Sequence, residues 1–431
     1  SRIRPFIPLL IGIAAALVLF AAFYFKLLNG WSANTDHPYM GYDYFGWPRA
    51  ALAIRHGTAL ATAHLDYPMY GPRATGWVSF PALAVAHYLT ERGHSVSWLG
   101  TERGMESELV PANGFEIDTI SIAGLRGNGL LGWLAAPVKI SRAIIQAMNV
   151  VRRRKPDAVL GMGGFVTGPG GVAAKLSGRP LLVHEQNAIA GLTNRLLSRI
   201  ATRVLEAFPN TFSGSKVSHT GNPVRSDIAS LPAPEQRFAG REGRLRLLVV
   251  GGSLGALALN EMIPQALAAI AEEQRPEVHH QCGKRHFDVT SAAYEKAGVA
   301  CEVMPFIDDM AAQYEWADLV ICRAGALTVS ELALAGVASI LVPYPYAVDD
   351  HQTANGDYLV KEGAARLVQQ RDMTAESVAQ MLNSYCSDVD EGRKQLMTMA
   401  QKARFLAKAE ATAEVAAACL ALAGTESEVK A

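Results

Sequence analysis

The chain has 431 residues, half of them hydrophobic and 19% charged, a length suited to two or three domains and a composition that excludes a disordered chain. Its 40 Lys and Arg balance its 40 Asp and Glu, so net charge gives no sign of general nucleic-acid binding. Cys282, Cys301, Cys322, Cys386 and Cys419 form no CxxC pair, which argues against a disulfide framework or a structural zinc site and fits a reducing compartment.

The amino end comes first. Pro5 to Leu28 is apolar except for Lys26, long enough for a bilayer core, so residues 1–30 are expected to form a transmembrane helix. Residues 31–72 are rich in Gly, Pro, Tyr and His without a clear period and read as an irregular linker. From 73 to 225 the pattern becomes regular. PALAVAHYLTERG has helical spacing and stops at Gly93; SVSWLG is a strand; AVLGMGG is a strand running into glycines, with a helix from about Gly168; PLLVHEQN is another strand. This alternation predicts a parallel sheet covered on both faces. Residues 226–243 carry turn residues and charges and read as an interdomain linker. A second alternation occupies 244–424: RLLVVGGSLGA, then DLVICRAGALTVSELALAG, then SILVPYP, with a helical tail. Residues 425–431 are expected to fray.

Glycine turns between strand and helix carry the chemical signal. A helix amino end presents unpaired N–H groups and partial positive charge, and glycine lets a phosphate approach the backbone. Gly251 to Ala256 is such a turn, with the Ser253 hydroxyl beside it, yet it lacks the Gly-Lys-Ser/Thr of a P-loop and is not a full dinucleotide fingerprint. Gly161 to Gly171 holds six glycines in eleven residues and suits a diphosphate. Arg323 to Glu331 repeats the turn, and the Glu331 carboxylate could accept two bonds from a ribose diol or simply favour the start of a helix. His184 to Asn187 ends a parallel strand, where side chains point into a binding crevice. Asp349, Asp350 and His351 are of metal-ligand type, but they equally suit carbohydrate hydroxyls, and no metal site is assigned.

Taken in order, GMGGFVTGPGG, HEQNAIAGLTNR, GNPVR, GGSLGA, FIDDMA, RAGALTVSE and VDDHQTAN resemble the MurG family of glycosyltransferases, as do FPALAVAHYL and GLRGNG. The resemblance covers about Phe80 to Gly424. It implies a GT-B fold, two Rossmann-like domains whose parallel sheets face a central cleft: 73–225 for acceptor and membrane docking, 244–424 for the UDP-sugar. It further implies inverting transfer of N-acetylglucosamine from UDP-N-acetylglucosamine to an undecaprenyl-diphosphate-linked muramyl-pentapeptide. No cofactor is required for the fold. Carried onto this chain, the donor would be held by Thr75, Gly76, Asn187, Arg225, Ser253, Ile307, the Ala326, Leu327, Thr328, Val329, Ser330 and Glu331 run, and Gln352. Gly163, Gly164, Gly168, Gly170 and Gly171 would face the acceptor diphosphate.

The family's use of a nucleotide sugar places the chain at the cytoplasmic face of a bacterial inner membrane, against the weak topology hint of Arg2 and Arg4. Leu130, Leu131, Trp133, Leu134 and Ile144, followed by Arg152, Arg153, Arg154 and Lys155, suit docking on an anionic membrane or a core helix with a basic end. Other cell-wall synthesis enzymes are expected as partners.

The pattern departs at one place. Where the family has GGTGGH, this chain has Arg73-Ala74-Thr75-Gly76-Trp77-Val78-Ser79. Val78 stands at the position of a histidine that is a candidate general base, and valine takes no proton. Glu185 or His184 would then be the base. The alternatives are a donor-binding, catalytically impaired membrane-anchored homologue or scaffold, or another UDP-sugar transferase of the same fold.

Overall fold

The computed structural model describes residues 51–55, 58–62, 81–104, 106–122, 129–252 and 255–424. The expected transmembrane helix, most of the 31–72 segment, the altered 73–79 stretch and the 425–431 tail lie outside them. Among the described residues, no helix is long and apolar enough to cross a membrane.

Two sheets form the frame. The first contains β1 (Ala51–Arg55), β2 (Thr58–Thr62), β3 (Ser95–Gly100), β4 (Glu116–Thr119), β5 (Ala158–Gly161), β6 (Leu181–Glu185), β7 (Arg203–Glu206) and β8 (Val217–His219). β4, β3, β2, β5, β6, β7 and β8 follow one another across it, all parallel, with β1 antiparallel to β3 and β5. The second contains β9 (Arg246–Val250), β10 (Glu277–Gln281), β11 (Glu302–Met304), β12 (Leu319–Cys322), β13 (Ala338–Leu341) and β14 (Ala365–Leu367) in the order β11-β10-β9-β12-β13-β14, all parallel. Each sheet reverses its strand order once, between β2 and β5 and between β9 and β12. That reversal opens a crevice at the strands' carboxyl ends.

The strand interiors explain the sheets. LLVV in β9, LVIC in β12 and LLVHE in β6 are buried along nearly their whole length, as parallel strands covered on both faces require. The helix Ala326–Ala335 covers one side of the second sheet, laying Val329, Leu332 and Ala333 into a core with Val320, Cys322 and Leu341.

Three expectations are corrected. The 31–72 segment is not wholly irregular: β1 and β2 lie within it, and β2 is a parallel strand that precedes the altered 73–79 stretch in the chain. Its alternation is too weak to read locally, because sheet neighbours and not propensity decide such a strand. The 226–243 linker contains two short helices, Ser226–Ala229 and Pro234–Phe238, and buries Ile228, Leu231 and Phe238 in the cores of the second half. Finally, the helix Ala411–Ala423 leaves the second half. Val415, Ala416, Cys419 and Leu420 pack with Ala82, Val85, Leu89 and Leu160 of the first. Alanines on both packed helices, Pro81–Thr90 and Ala411–Ala423, allow close approach of their backbones.

Candidate active site in the interdomain cleft

The first glycine turn leaves β5 with Gly163 and Gly164 at φ of 88° and 99°, a region costly for other residues. The Thr167 hydroxyl donates to the Gly163 carbonyl and ties the turn to the helix Thr167–Leu176. That helix has no side-chain cap, so its first-turn N–H groups face the end of the turn. The five glycines assigned to the acceptor diphosphate divide here. Gly170 and Gly171 are buried within the helix. A Cβ on Gly171 would stand 2.9 Å from both methyls of Leu197, so this glycine serves helix packing. Gly168 is half-buried and Gly163 and Gly164 form the turn itself.

His184 and Glu185 do not have the freedom of a base. His184 is fully buried. Its Nε2–H donates to the Gly221 carbonyl at 2.9 Å, and its Nδ1 accepts from Gln186 Nε2 at 3.0 Å. Burial lowers its pKa to about 4, so the ring is neutral and both nitrogens are committed. Glu185 is 3% exposed. Its Oε1 accepts from the Asn187 N–H at 3.1 Å and from Asn187 Nδ2 at 3.2 Å. Its Oε2 accepts from the Gly191 N–H at 3.0 Å and from Asn194 Nδ2 at 2.9 Å. Four donors occupy the carboxylate, which shapes the 186–191 loop and is not presented to a substrate proton. Both side chains named from sequence as the base are thus hydrogen-bonded within the protein, and Val78, Thr75 and Gly76 lie outside the described residues.

The second half repeats the strand–turn–helix unit. After β9, Gly251 and Gly252 lead to Gly255 and then to the helix Leu257–Ala268; Ser253 lies outside the described residues. Gly255 has φ of 74°, and a Cβ there would stand 2.1 Å from the Cys282 carbonyl oxygen. That carbonyl accepts from Asn260 Nδ2 at 3.0 Å; Asn260 Oδ1 accepts from His280 Nε2 at 3.0 Å; the Tyr294 hydroxyl donates to His280 Nδ1 at 2.9 Å. Burial lowers the His280 pKa to about 3. A buried, neutral network thus backs the turn, and nothing in the local sequence marked it.

The third turn starts the helix Ala326–Ala335 at Gly325, again with no side-chain cap. Leu327, Thr328 and Ser330 are half-buried, whereas Ala326 and Val329 point into the core, leaving them only backbone to offer. Glu331 sits in the second turn, not at the helix start, and its Oε2 accepts from the Tyr314 hydroxyl at 3.2 Å. Ile307 is buried beside Tyr314 and Val329 in the same core, just before the helix Met310–Trp316, which Asp309 caps through the Ala312 N–H at 2.9 Å. Arg225 lies at the linker start with its Nε 3.4 Å from Asp227 Oδ1. Gln352, on the helix His351–Val360, accepts from the Tyr344 N–H at 2.8 Å. Asp349 and Asp350 are exposed and adopt positive φ. Among the described residues, no group of three or more His, Cys, Asp or Glu could hold a metal.

Two asparagines absent from the sequence assignment join the halves. Asn355, fully buried, accepts from the Ala188 N–H at 2.8 Å and donates to Asn187 Oδ1 at 3.2 Å. Asn222 Nδ2 lies 3.0 Å from both the Gln186 carbonyl and Ser330 Oγ. Both sit in motifs that stood out as GNPVR and VDDHQTAN, but no local pattern distinguishes a bridging amide from a surface one.

Away from the cleft, the basic run at the end of the helix Gly129–Arg154 is partly spoken for. Arg153 and Arg154 pair with Asp118, and Arg154 also with Glu116. Val138 and Ile145 are 72% and 59% exposed on the same helix, near exposed Lys139 and Arg142.

Comparison with known proteins agrees with this architecture. Residues 79–206 match the glycosyltransferase family 28 N-terminal domain and residues 246–416 the C-terminal domain of that family. A relative from Marinobacter nauticus is 55% identical over 347 residues, 80% of this chain and 94% of its own; its name is UDP-N-acetylglucosamine--N-acetylmuramyl-(pentapeptide) pyrophosphoryl-undecaprenol N-acetylglucosamine transferase. A protein of the same name from Burkholderia thailandensis is 51% identical over 83% of this chain and 96% of its own. The crystal structure of Acinetobacter baumannii MurG superposes with a TM-score of 0.70 at 47% identity, covering 79% of this chain and 95% of that one. At 14% identity, the glycosyltransferase VinC in complex with dTDP shares the fold alone, with a TM-score of 0.52 over 80% of this chain and 96% of its own.

Proposed function

Because the chain belongs to the MurG family, the glycosyltransferase family 28 enzymes named for N-acetylglucosamine transfer to N-acetylmuramyl-(pentapeptide) pyrophosphoryl-undecaprenol, we propose that it carries out this transfer from UDP-N-acetylglucosamine. The observation that carries the reading is 55% identity extending across both halves of a two-sheet GT-B fold. The donor would lie against the second sheet, with its diphosphate at the Gly251–Gly255 turn and the Leu327–Thr328 backbone, its ribose at Glu331, its base near Ile307, and its sugar between Gln352 and Asn187. Ser253, Thr75, Gly76 and Arg225 would complete that site. Uncapped helix ends are suited to diphosphates, and both the Thr167–Leu176 and Ala326–Ala335 helices begin this way.

Chemically, the acceptor hydroxyl oxygen bonds to the anomeric carbon as that carbon's bond to the donor phosphate breaks, which inverts the centre and releases UDP. The hydroxyl proton must pass to a base. Glu185 and His184 are committed to structure, so we place the base elsewhere in the cleft. The enzyme works at the cytoplasmic face of the membrane, where nucleotide sugars occur, with Val138 and Ile145 meeting the lipid beside Lys139 and Arg142.

The test is UDP release from UDP-N-acetylglucosamine by the full chain in detergent, with and without the lipid-linked muramyl-pentapeptide. Release that depends on the acceptor is expected. Donor binding with no release would favour the impaired homologue, and neither binding nor release would overturn the reading.

A further inference from the structure

The 186–191 loop belongs to the acceptor half, yet its position is set by a residue of the donor half. Asn355 lies on the helix His351–Val360, less than one turn after Gln352. Its Oδ1 accepts from the Ala188 N–H at 2.8 Å, and its Nδ2 donates to Asn187 Oδ1 at 3.2 Å and to the Ala324 carbonyl at 3.4 Å. Ala324 stands in the turn that begins the Glu331 helix. One buried amide therefore ties the loop to both donor-half segments, the Gln352 helix and the Glu331 turn. On the acceptor side, the chain of bonds continues from Asn187 Nδ2 to Glu185 and from Glu185 to Asn194 and Gly191. Asn222 reinforces the same junction by donating to the Gln186 carbonyl.

From this geometry we infer that Asn355 is a positioning residue: it registers the acceptor-half loop, and Asn187 with it, against the bound donor sugar. The inference rests on the proposed transfer reaction and deepens it. An amide is needed because the partners are one donor, the Ala188 N–H, and two acceptors, the Asn187 and Ala324 oxygens. A side chain that only accepts or only donates leaves one set unpaired in a buried place. The Asn355 amide is spent on partners within the protein, the Ala188 N–H and the Asn187 and Ala324 oxygens. Its loss should act on the reacting geometry more than on donor affinity, since a small misplacement of reacting groups lowers turnover steeply.

The experiment compares the full chain with Asn355→Ala and the near-isosteric Asn355→Asp. Two quantities are measured: steady-state kinetics with both substrates, and hydrogen exchange of the 186–191 amides with and without UDP-N-acetylglucosamine. In the variants, kcat is expected to fall about tenfold or more, while KM for the donor moves by less than about threefold. UDP-N-acetylglucosamine should slow exchange of the loop in the parent and not in the variants, although heat protection shows that the variants still bind it. Equal slowing in parent and variants, or a kcat within about twofold of the parent, would overturn the inference. Exchange decides the matter even if the parent shows no turnover, an outcome that would count against the proposed reaction instead. If Asn355→Ala does not fold, Asn355→Asp supplies both measurements, because it keeps the volume and the acceptor for Ala188 but loses both donated bonds.

Discussion

Asn222 Nδ2 lies 3.0 Å from Ser330 Oγ and 3.0 Å from the Gln186 carbonyl oxygen, so one amide spans the junction between the two sheets. Asn222 is 3% exposed. Asn222→Ala leaves a buried carbonyl and a hydroxyl short of a donor, at a cost of about 1–3 kcal/mol. The halves should uncouple: calorimetry is expected to show a broadened or split transition where the parent shows one. A single transition at the parent's temperature would contradict this.

Glu185 offers a second test. Replacing its carboxylate by Glu185→Ala removes an acceptor from four donors, the N–H groups of Asn187 and Gly191 and the side-chain amides of Asn187 and Asn194. Stability should drop by about 2–5 kcal/mol. If Glu185 were the base, Glu185→Gln would abolish turnover with the fold and loop intact. The expectation is instead that any loss of turnover scales with disorder in the 186–191 loop, read by exchange of its amides.

Glu331→Ala is expected to remove donor binding, because no other carboxylate stands on that helix. UDP-N-acetylglucosamine would then fail to raise the melting temperature, while the variant alone melts somewhat below the parent because the buried Tyr314 hydroxyl loses the Glu331 acceptor. Undiminished protection would refute the ribose assignment.

The close approach at Gly255 predicts a local effect on the turn proposed to hold the donor diphosphate. A Cβ at 2.1 Å from the Cys282 oxygen forces the turn or the carbonyl to move, and positive φ adds strain of about 1 kcal/mol. Gly255→Ala should weaken donor binding at least about tenfold, a loss of about 1.4 kcal/mol, measured by calorimetric titration. Gly171→Ala should destabilise by about 1–3 kcal/mol without that loss of donor affinity, and Leu197→Ala should partly restore it by vacating the contact.

Acid should weaken the fold before it weakens any surface pair. His184 and His280 have pKa values lowered by burial to about 4 and about 3 from an ordinary 6.5. Above pH 6.5 both are neutral folded or unfolded. As pH falls below 6.5 the unfolded chain takes up protons that the folded chain refuses, so stability declines, down to about pH 4 for His184 and about pH 3 for His280. For His184 the full loss is about 3 kcal/mol. Melting temperatures between pH 7.5 and 4.5 should fall less steeply in His280→Gln, and an unchanged slope would count against the assignment.

Much of this architecture was legible in the residues themselves. Each glycine-bearing turn follows a continuous apolar strand such as LLVV or LVIC, because a strand buried on both faces must be apolar throughout and must end where the backbone turns. The Gly163, Gly255 and Gly325 turns, Glu331, Gln352 and the family could therefore be named before any coordinates. Contacts distant in sequence could not. β2 forms where β3 and β5 leave a place for it, Ala411–Ala423 crosses to the first half because its alanines fit the Pro81–Thr90 helix, and His184 and Glu185 meet Gly221, Gly191 and Asn194 only in the fold. Hydrogen-bond capacity belongs to a residue type, but whether it is spent inside the protein or left for a substrate depends on which neighbours the fold brings within about 3 Å, and for Asn222 and Asn355 the neighbours across the junction, Ser330 and Ala188, lie more than a hundred residues away.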